Sequence, residues 1–90
     1  MANKQSAIKR LRSAKRRRLR NRVYLGGART AVKNARQLID KGRIEEAREA
    51  VRQAASALDK AAEKGIIHKN NAARRKARLM RHLNQIERAA

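Results

Sequence analysis

Cysteine, proline, tryptophan and phenylalanine are all missing from this 90-residue sequence, and tyrosine occurs once, at Tyr24. Without cysteine there is neither a disulfide framework nor a thiolate metal site, a composition that suits a reducing cytoplasm. Without proline, and with only four glycines, few positions oppose a helix. A single aromatic residue argues against surfaces that stack bases on aromatic platforms, such as RNA-recognition sheets and oligonucleotide-binding barrels. Acids are scarce as well, seven against 26 lysines and arginines. No stretch nears the ~18 apolar residues that would span a bilayer, and no apolar segment follows the basic N-terminus, so neither membrane insertion nor secretion is expected.

What remains is positive charge on helix-forming side chains. A formal net charge of +19 exceeds what solubility requires and implies a polyanionic partner, nucleic acid before any other. The charge is unevenly placed. Residues 1–39 hold half of the lysines and arginines and no acid, whereas 40–63 hold six of the seven acids. The chain is short enough to be read as one domain, 1–90, with a basic arm over 1–22 and a bundle over 23–90. Its core, drawn from Ala, Ile, Leu and Val, should be thin.

The apolar spacing predicts three helices and an all-α, antiparallel bundle. In the first, Leu25, Ala28, Val32, Ala35 and Ile39 recur at steps of three and four, with Ala31 and Leu38 widening the stripe. Arg22, Arg29, Lys33 and Arg36 share another face of that helix. The second repeats Ile44, Ala47, Val51, Ala54, Leu58 and Ala61, and Glu45 and Glu46 suit its positive N-terminal end. Pairs such as Glu45 with Arg48 and Glu49 with Arg52 should neutralise each other, so this helix should face away from a polyanion. The third begins between His68 and Ala72 and carries Ala72, Leu79, Leu83 and Ile86 inward, supported by Ala73 and Met80, with Lys76 snorkelling from the same side. Its outward row is Asn71, Arg74, Arg78, Arg81, Gln85 and Arg88. Gly42 and Gly65 are placed to end the first two helices.

The arm is different. From Arg12 to Arg22 the charges of Arg12, Lys15, Arg16, Arg17, Arg18, Arg20 and Arg22 fall on nearly every side of a helical wheel. Like-charge pairs four apart oppose the helix by roughly 0.2–0.5 kcal/mol each, so the arm should fray when free and form helix when phosphates relieve the repulsion. Gly26 and Gly27, where arm meets bundle, mark either a bend or a close helix approach.

Certain runs also resemble a known family: Met1-Ala2-Asn3-Lys4, Ser6-Ala7, Lys9-Arg10, Asn21, Arg29-Thr30, Lys33, Asp59-Lys60-Ala61, Ala72-Ala73-Arg74-Arg75-Lys76 and Arg78-Leu79. The most specific is Lys64-Gly65-Ile66-Ile67-His68-Lys69-Asn70. Together they resemble the bacterial small-subunit ribosomal protein S-twenty family over essentially the whole chain. The resemblance implies a three-helix bundle that binds small-subunit ribosomal RNA directly, joins the subunit early and lies toward its bottom. Neighbouring small-subunit ribosomal proteins are the further partners it implies, in the cytoplasm, without a membrane or a homo-oligomer. The sequence departs from the family pattern at Val23-Tyr24-Leu25-Gly26-Gly27, where members usually carry more Lys, Arg and Ser.

The candidate RNA-binding residues are therefore Lys4, Lys9, Arg10, Arg12, Lys15, Arg16, Arg17, Arg18, Arg20, Asn21 and Arg22 in the arm, and Arg29 and Lys33 beyond it. His68, Lys69 and Asn70 are added at the second turn, with Arg74, Arg75, Arg78 and Arg81 on the third helix. His68 reads equally as an internal fixer of its turn. Architectural DNA binding is the alternative, since phosphate contacts do not distinguish the two polymers. Membrane disruption is disfavoured by alanine-rich apolar faces without aromatic anchors. His68 and His82 stand 14 residues apart with no clustered carboxylates, so no metal site is expected. No serine or threonine is set with a histidine as nucleophile and base, and neither catalysis nor a cofactor is expected.

Overall fold

The computed structural model describes the backbone of residues 2–89 and the side chains of 4–89. Of the runs singled out in the sequence, Met1 and the side chains of Ala2 and Asn3 lie outside the described residues. Three helices follow in order: α1, Ala2–Asp40; α2, Ile44–Glu63; and α3, Lys69–Ala89. Short connections turn each helix back on the one before, giving the expected all-α bundle.

Both turns are made by glycine. Gly42 and Gly65 have φ of +74° and +73°, a left-handed conformation that a Cβ would disfavour by roughly 1–2 kcal/mol. At the end of α1 the Gly42 amide donates to the Ile39 carbonyl and the Arg43 amide to that of Leu38, at 3.0 and 3.1 Å. At the end of α2 the Gly65 amide donates to Ala62 and the Ile66 amide to Ala61, at 3.0 and 2.9 Å. These paired bonds are the Schellman arrangement, which satisfies carbonyls that a helix end leaves open.

The inward stripes read from spacing form the core. Ala28, Val32, Ala35 and Ile39 meet Ala47, Val51, Ala54, Leu58 and Ala61, and α3 adds Ala72, Leu79 and Leu83. Half of these buried side chains are alanine, so the axes come close while little apolar area is removed from water. No polar side chain is buried among the described residues.

α2 is the centre of the bundle: it packs against both neighbours, whereas α1 and α3 meet only slightly. That asymmetry corrects two expectations for α3. Ala73 and Met80 do not support the core; both are exposed, Met80 by 48%, because α3 rests mainly on one helix and its buried stripe is correspondingly narrow. Lys76 lies at the edge of the stripe, as expected, but its Nζ meets Asp59 Oδ1 at 2.7 Å instead of simply reaching water. A further pair ties α2 to α3, Arg48 Nε donating to Glu87 Oε1 at 2.6 Å. This hydrogen bond, and then the Glu87 charge, hold the Arg48 proton more tightly than usual. Arg48 thus pairs with Glu87 and not with Glu45, while the expected Glu49–Arg52 pair is present at 3.4 Å.

α1 runs through Gly26 and Gly27 as unbroken helix. A Cβ built on either glycine would meet nothing within 4 Å, so close helix packing does not account for them. At 1.5 Å per residue α1 is about 58 Å long, and its N-terminal half stands clear of the bundle, where Ile8, Leu11 and Leu19 are exposed. The radius of gyration is 17.9 Å, against the ~12 Å of a compact chain of this length. The projecting arm makes the difference.

Candidate nucleic-acid interface

The acids sort the cations into two groups. Among the described residues, Glu46, Glu49, Asp59 and Glu87 pair with Arg43, Arg52, Lys76 and Arg48 respectively, all of them on or beside α2. Asp40 faces His82 Nε2 at 3.5 Å. No basic side chain from Lys4 to Arg36 lies within ion-pair distance of an acid among the described residues. Lys69, Arg74, Arg75, Arg78, Arg81 and Arg88 on α3 are likewise outside these pairs.

In the arm, Lys4, Lys9, Arg10, Arg12, Lys15, Arg16, Arg17, Arg18, Arg20 and Arg22 are all exposed. Asn21 differs. It is half-buried on the side of α1 that carries Ala28, Val32 and Ile39, seven residues being close to two full helical turns. The helix therefore presents cation around its circumference until Asn21, where the bundle begins to claim one side.

Beyond that point the free cations gather where α1 passes α3. Arg29, Lys33 and Arg36 project from α1 and Arg75 from α3 around an open cleft of about 510 Å³, with Val32 and Gln37 completing its wall. No acid lines it. Asn71 holds the α3 side in place: its Oδ1 accepts from Arg75 Nε at 3.0 Å and from Arg74 Nη2 at 3.5 Å. Held through Nε, the Arg75 guanidinium keeps its two terminal nitrogens for an incoming acceptor, the fork geometry that suits a phosphate. Spacing assigns Asn71 to the outward row; in the structure it is half-buried and positions arginines. Arg78 and Arg81 extend from this side of α3 as exposed side chains.

Spacing on α1 places Arg36 on one face with Arg29 and Lys33, yet Arg36 is not among the candidate binding residues drawn from the sequence; the cleft adds it. That Arg75, rather than Arg74 or Arg78, closes the cleft depends on the angle at which α3 lies beside α1, which spacing within one helix cannot supply.

At the N-terminus of α3, three residues before Asn71, His68 caps the helix. Its Nδ1 accepts the Asn70 amide at 3.1 Å, so in this neutral form Nε2 carries the proton and is the ring's remaining donor. The histidine thus fixes its turn, and Lys69 and Asn70 are exposed beside it. Among the described residues no group of three or more potential metal ligands is present, and no helix is long and apolar enough to cross a membrane.

A long cationic helix braced by two shorter ones, with most of the acids on α2 or paired with it, is the layout of a small helical protein suited to a polyanion. Comparison with known proteins is more specific. The family model described as ribosomal protein S20 matches residues 2–84, and the chain belongs to this family. It is 52% identical over 89 residues to small ribosomal subunit protein bS20 of Thermomicrobium roseum, covering 99% of this chain and 90% of that one. The bS20 protein of Dictyoglomus thermophilum is 49% identical, covering 94% and 91% of the two chains. That of a Roseiflexus species is 56% identical over 79 residues, 88% and 86% of the two.

Proposed function

We propose that the protein is a structural, non-enzymatic component of the bacterial small ribosomal subunit, in the cytoplasm, that binds small-subunit ribosomal RNA through backbone and shape. The observation that carries this reading is the acid-free cleft of Arg29, Lys33, Arg36 and Arg75 in a chain of this family. A deep, narrow A-form major groove admits no such bundle, so the arginines follow phosphates along a minor groove or a junction without reading base edges. The arm, residues 1–22, inserts its exposed cations between RNA segments, and the bundle over 23–90 anchors it. Arg74, Arg78, Arg81 and the His68–Asn70 end of α3 add contacts on the same helix as Arg75, and neighbouring small-subunit proteins complete its surroundings. Membership of a ribosomal family favours this over an architectural role on DNA.

The test combines sedimentation and affinity. The protein should sediment with small ribosomal subunits from cells, and replacing Arg29, Lys33 and Arg75 together by Gln should weaken binding to purified small-subunit ribosomal RNA. The variant should also flatten the dependence of log affinity on log salt by roughly two to three, about one unit for each phosphate that is no longer neutralised. Unchanged affinity and slope would remove the cleft from the interface.

A further inference from the structure

A second recess opens on the flank of α1 that meets α2, away from the cationic cleft beside α3. It is an open groove of about 360 Å³, lined by Val23, Tyr24, Gly27 and Ala28 from α1 and Gln53, Ser56, Ala57 and Lys60 from α2, a volume within the range of sites that take small organic groups. Its floor is open because position 27 carries no side chain: a Cβ there would meet nothing within 4 Å. Helix packing therefore does not explain this glycine, although glycine weakens a helix interior by roughly 1 kcal/mol against alanine.

The lining combines two chemistries. Gly27, Ala28 and Ala57 with the Tyr24 ring form an apolar surface, and Val23 beside them is 72% exposed. Gln53 and Ser56 supply hydrogen-bonding groups, Lys60 is a cation in the wall, and no acid lines the recess. A second cation, Lys64, lies over the Tyr24 ring with Nζ 5.0 Å from its centroid, a cation–π contact. Along α1 the same side continues through Arg20 and Arg16, seven and eleven residues before Gly27 and so close to whole numbers of turns. A flat group with an apolar face and a polar edge, attached to a polyanionic strand, fits these features together. An unstacked nucleobase is such a group.

We propose that the α1–α2 recess is a slot for one nucleobase extruded from the bound RNA, its face on the Gly27–Ala28–Ala57 floor against Tyr24, its edge toward Gln53 and Ser56, and its flanking phosphates on Arg20 and Lys60. The proposal rests on the RNA-binding reading above and adds a base-sized pocket to an interface otherwise built on phosphate. It also gives the lone tyrosine and the unpacked glycine a shared role.

The slot is tested by filling it in the full-length protein. Gly27→Leu should occupy the floor and, by removing a helix-interior glycine, raise the melting temperature. Ser56→Leu fills the slot from the α2 wall independently. Each should weaken binding to purified small-subunit ribosomal RNA by roughly 5- to 10-fold, the lower part of what one stacked base contributes. With Val23 replaced by the photoreactive p-benzoylphenylalanine, irradiation of reconstituted subunits should attach the protein to RNA. The slot is refuted if both filled variants bind within about twofold of the unaltered chain, where that ratio lies below the contribution of a single base, or if the photoreactive group attaches only to another protein. The Arg29/Lys33/Arg75→Gln variant separates the two levels: if it loses RNA while the filled variants do not, the slot alone falls. If the unaltered chain itself fails to bind the RNA, the RNA-binding reading falls first.

Discussion

Asn71 shows how one neutral side chain sets the direction of two charged ones. Its amide oxygen accepts from both Arg74 and Arg75, so Asn71→Leu should leave the net charge unchanged while releasing both guanidiniums from their fixed geometry. RNA affinity should fall with the helical circular dichroism retained, whereas an interface governed by charge alone would bind the variant normally. His68 makes a second prediction. With Nδ1 accepting the Asn70 amide, His68→Ala removes a cap that contributes roughly 0.5–1 kcal/mol, and His68→Asn, whose side-chain oxygen can accept the same bond, should restore most of the lost thermal stability. Equal melting temperatures for the two variants would show that the cap contributes nothing. Of these residue roles, the sequence discloses the identities but not the partnerships. His68 is readable as a turn-fixing residue because it stands between a helix-ending glycine and a new apolar stripe. Spacing misplaces Asn71 because position 71 falls where the outward row and the α1-facing flank of α3 adjoin, and only packing decides between them.

Each helix is legible to the extent that its own periodicity determines its fate. α2 packs on both neighbours and has one long buried stripe, so every inward residue expected from spacing, from Ala47 to Ala61, is buried, with Ile44 partly so. α3 touches essentially one neighbour, and its apolar residues outnumber the places that neighbour provides; Met80 and Ala73 are the surplus. The glycines divide by the same logic. Gly42 and Gly65 are legible as terminators because they end apolar patterns, and their positive φ makes them irreplaceable: Gly42→Ala should lower stability by roughly 1 kcal/mol or more. Gly26 sits in regular helix with open space around it, so Gly26→Ala should raise stability by up to about 1 kcal/mol, read as a higher melting temperature. Opposite signs for two Gly→Ala changes in one helix–turn unit would be a direct measure of backbone conformation acting alone. A loss of stability at Gly26 would mean that α1 is not continuous there in solution.

For the molecule as a whole, charge is segregated by element more than by residue. α2 and its partners absorb most of the acids, leaving α1 and the outer side of α3 as an unneutralised cationic surface. Affinity for small-subunit ribosomal RNA should therefore fall steeply between low and moderate salt, and the bundle's melting temperature should change much less over the same range, because its core is apolar. The arm should respond differently from the bundle in the free protein: amides of Lys4 to Arg20 should exchange rapidly, and those of Val32 to Ile39, inside the core, slowly. Strong protection of the arm without RNA would show that its helix stands unaided.

That contrast has a kinetic meaning, which follows from α1 being a single helix on both sides of Gly26 and Gly27. Starting a helix is the slow, unfavourable event, and lengthening an existing one is not. Residues 28–40, held by the core, provide a permanent nucleus in register with the arm. Ordering of the arm on RNA, as proposed, should then be propagation alone, proceeding from the bundle toward the N-terminus one amide at a time. The end nearest the bundle should order first, so that each new turn would bring its cations to RNA that the preceding turn has already engaged.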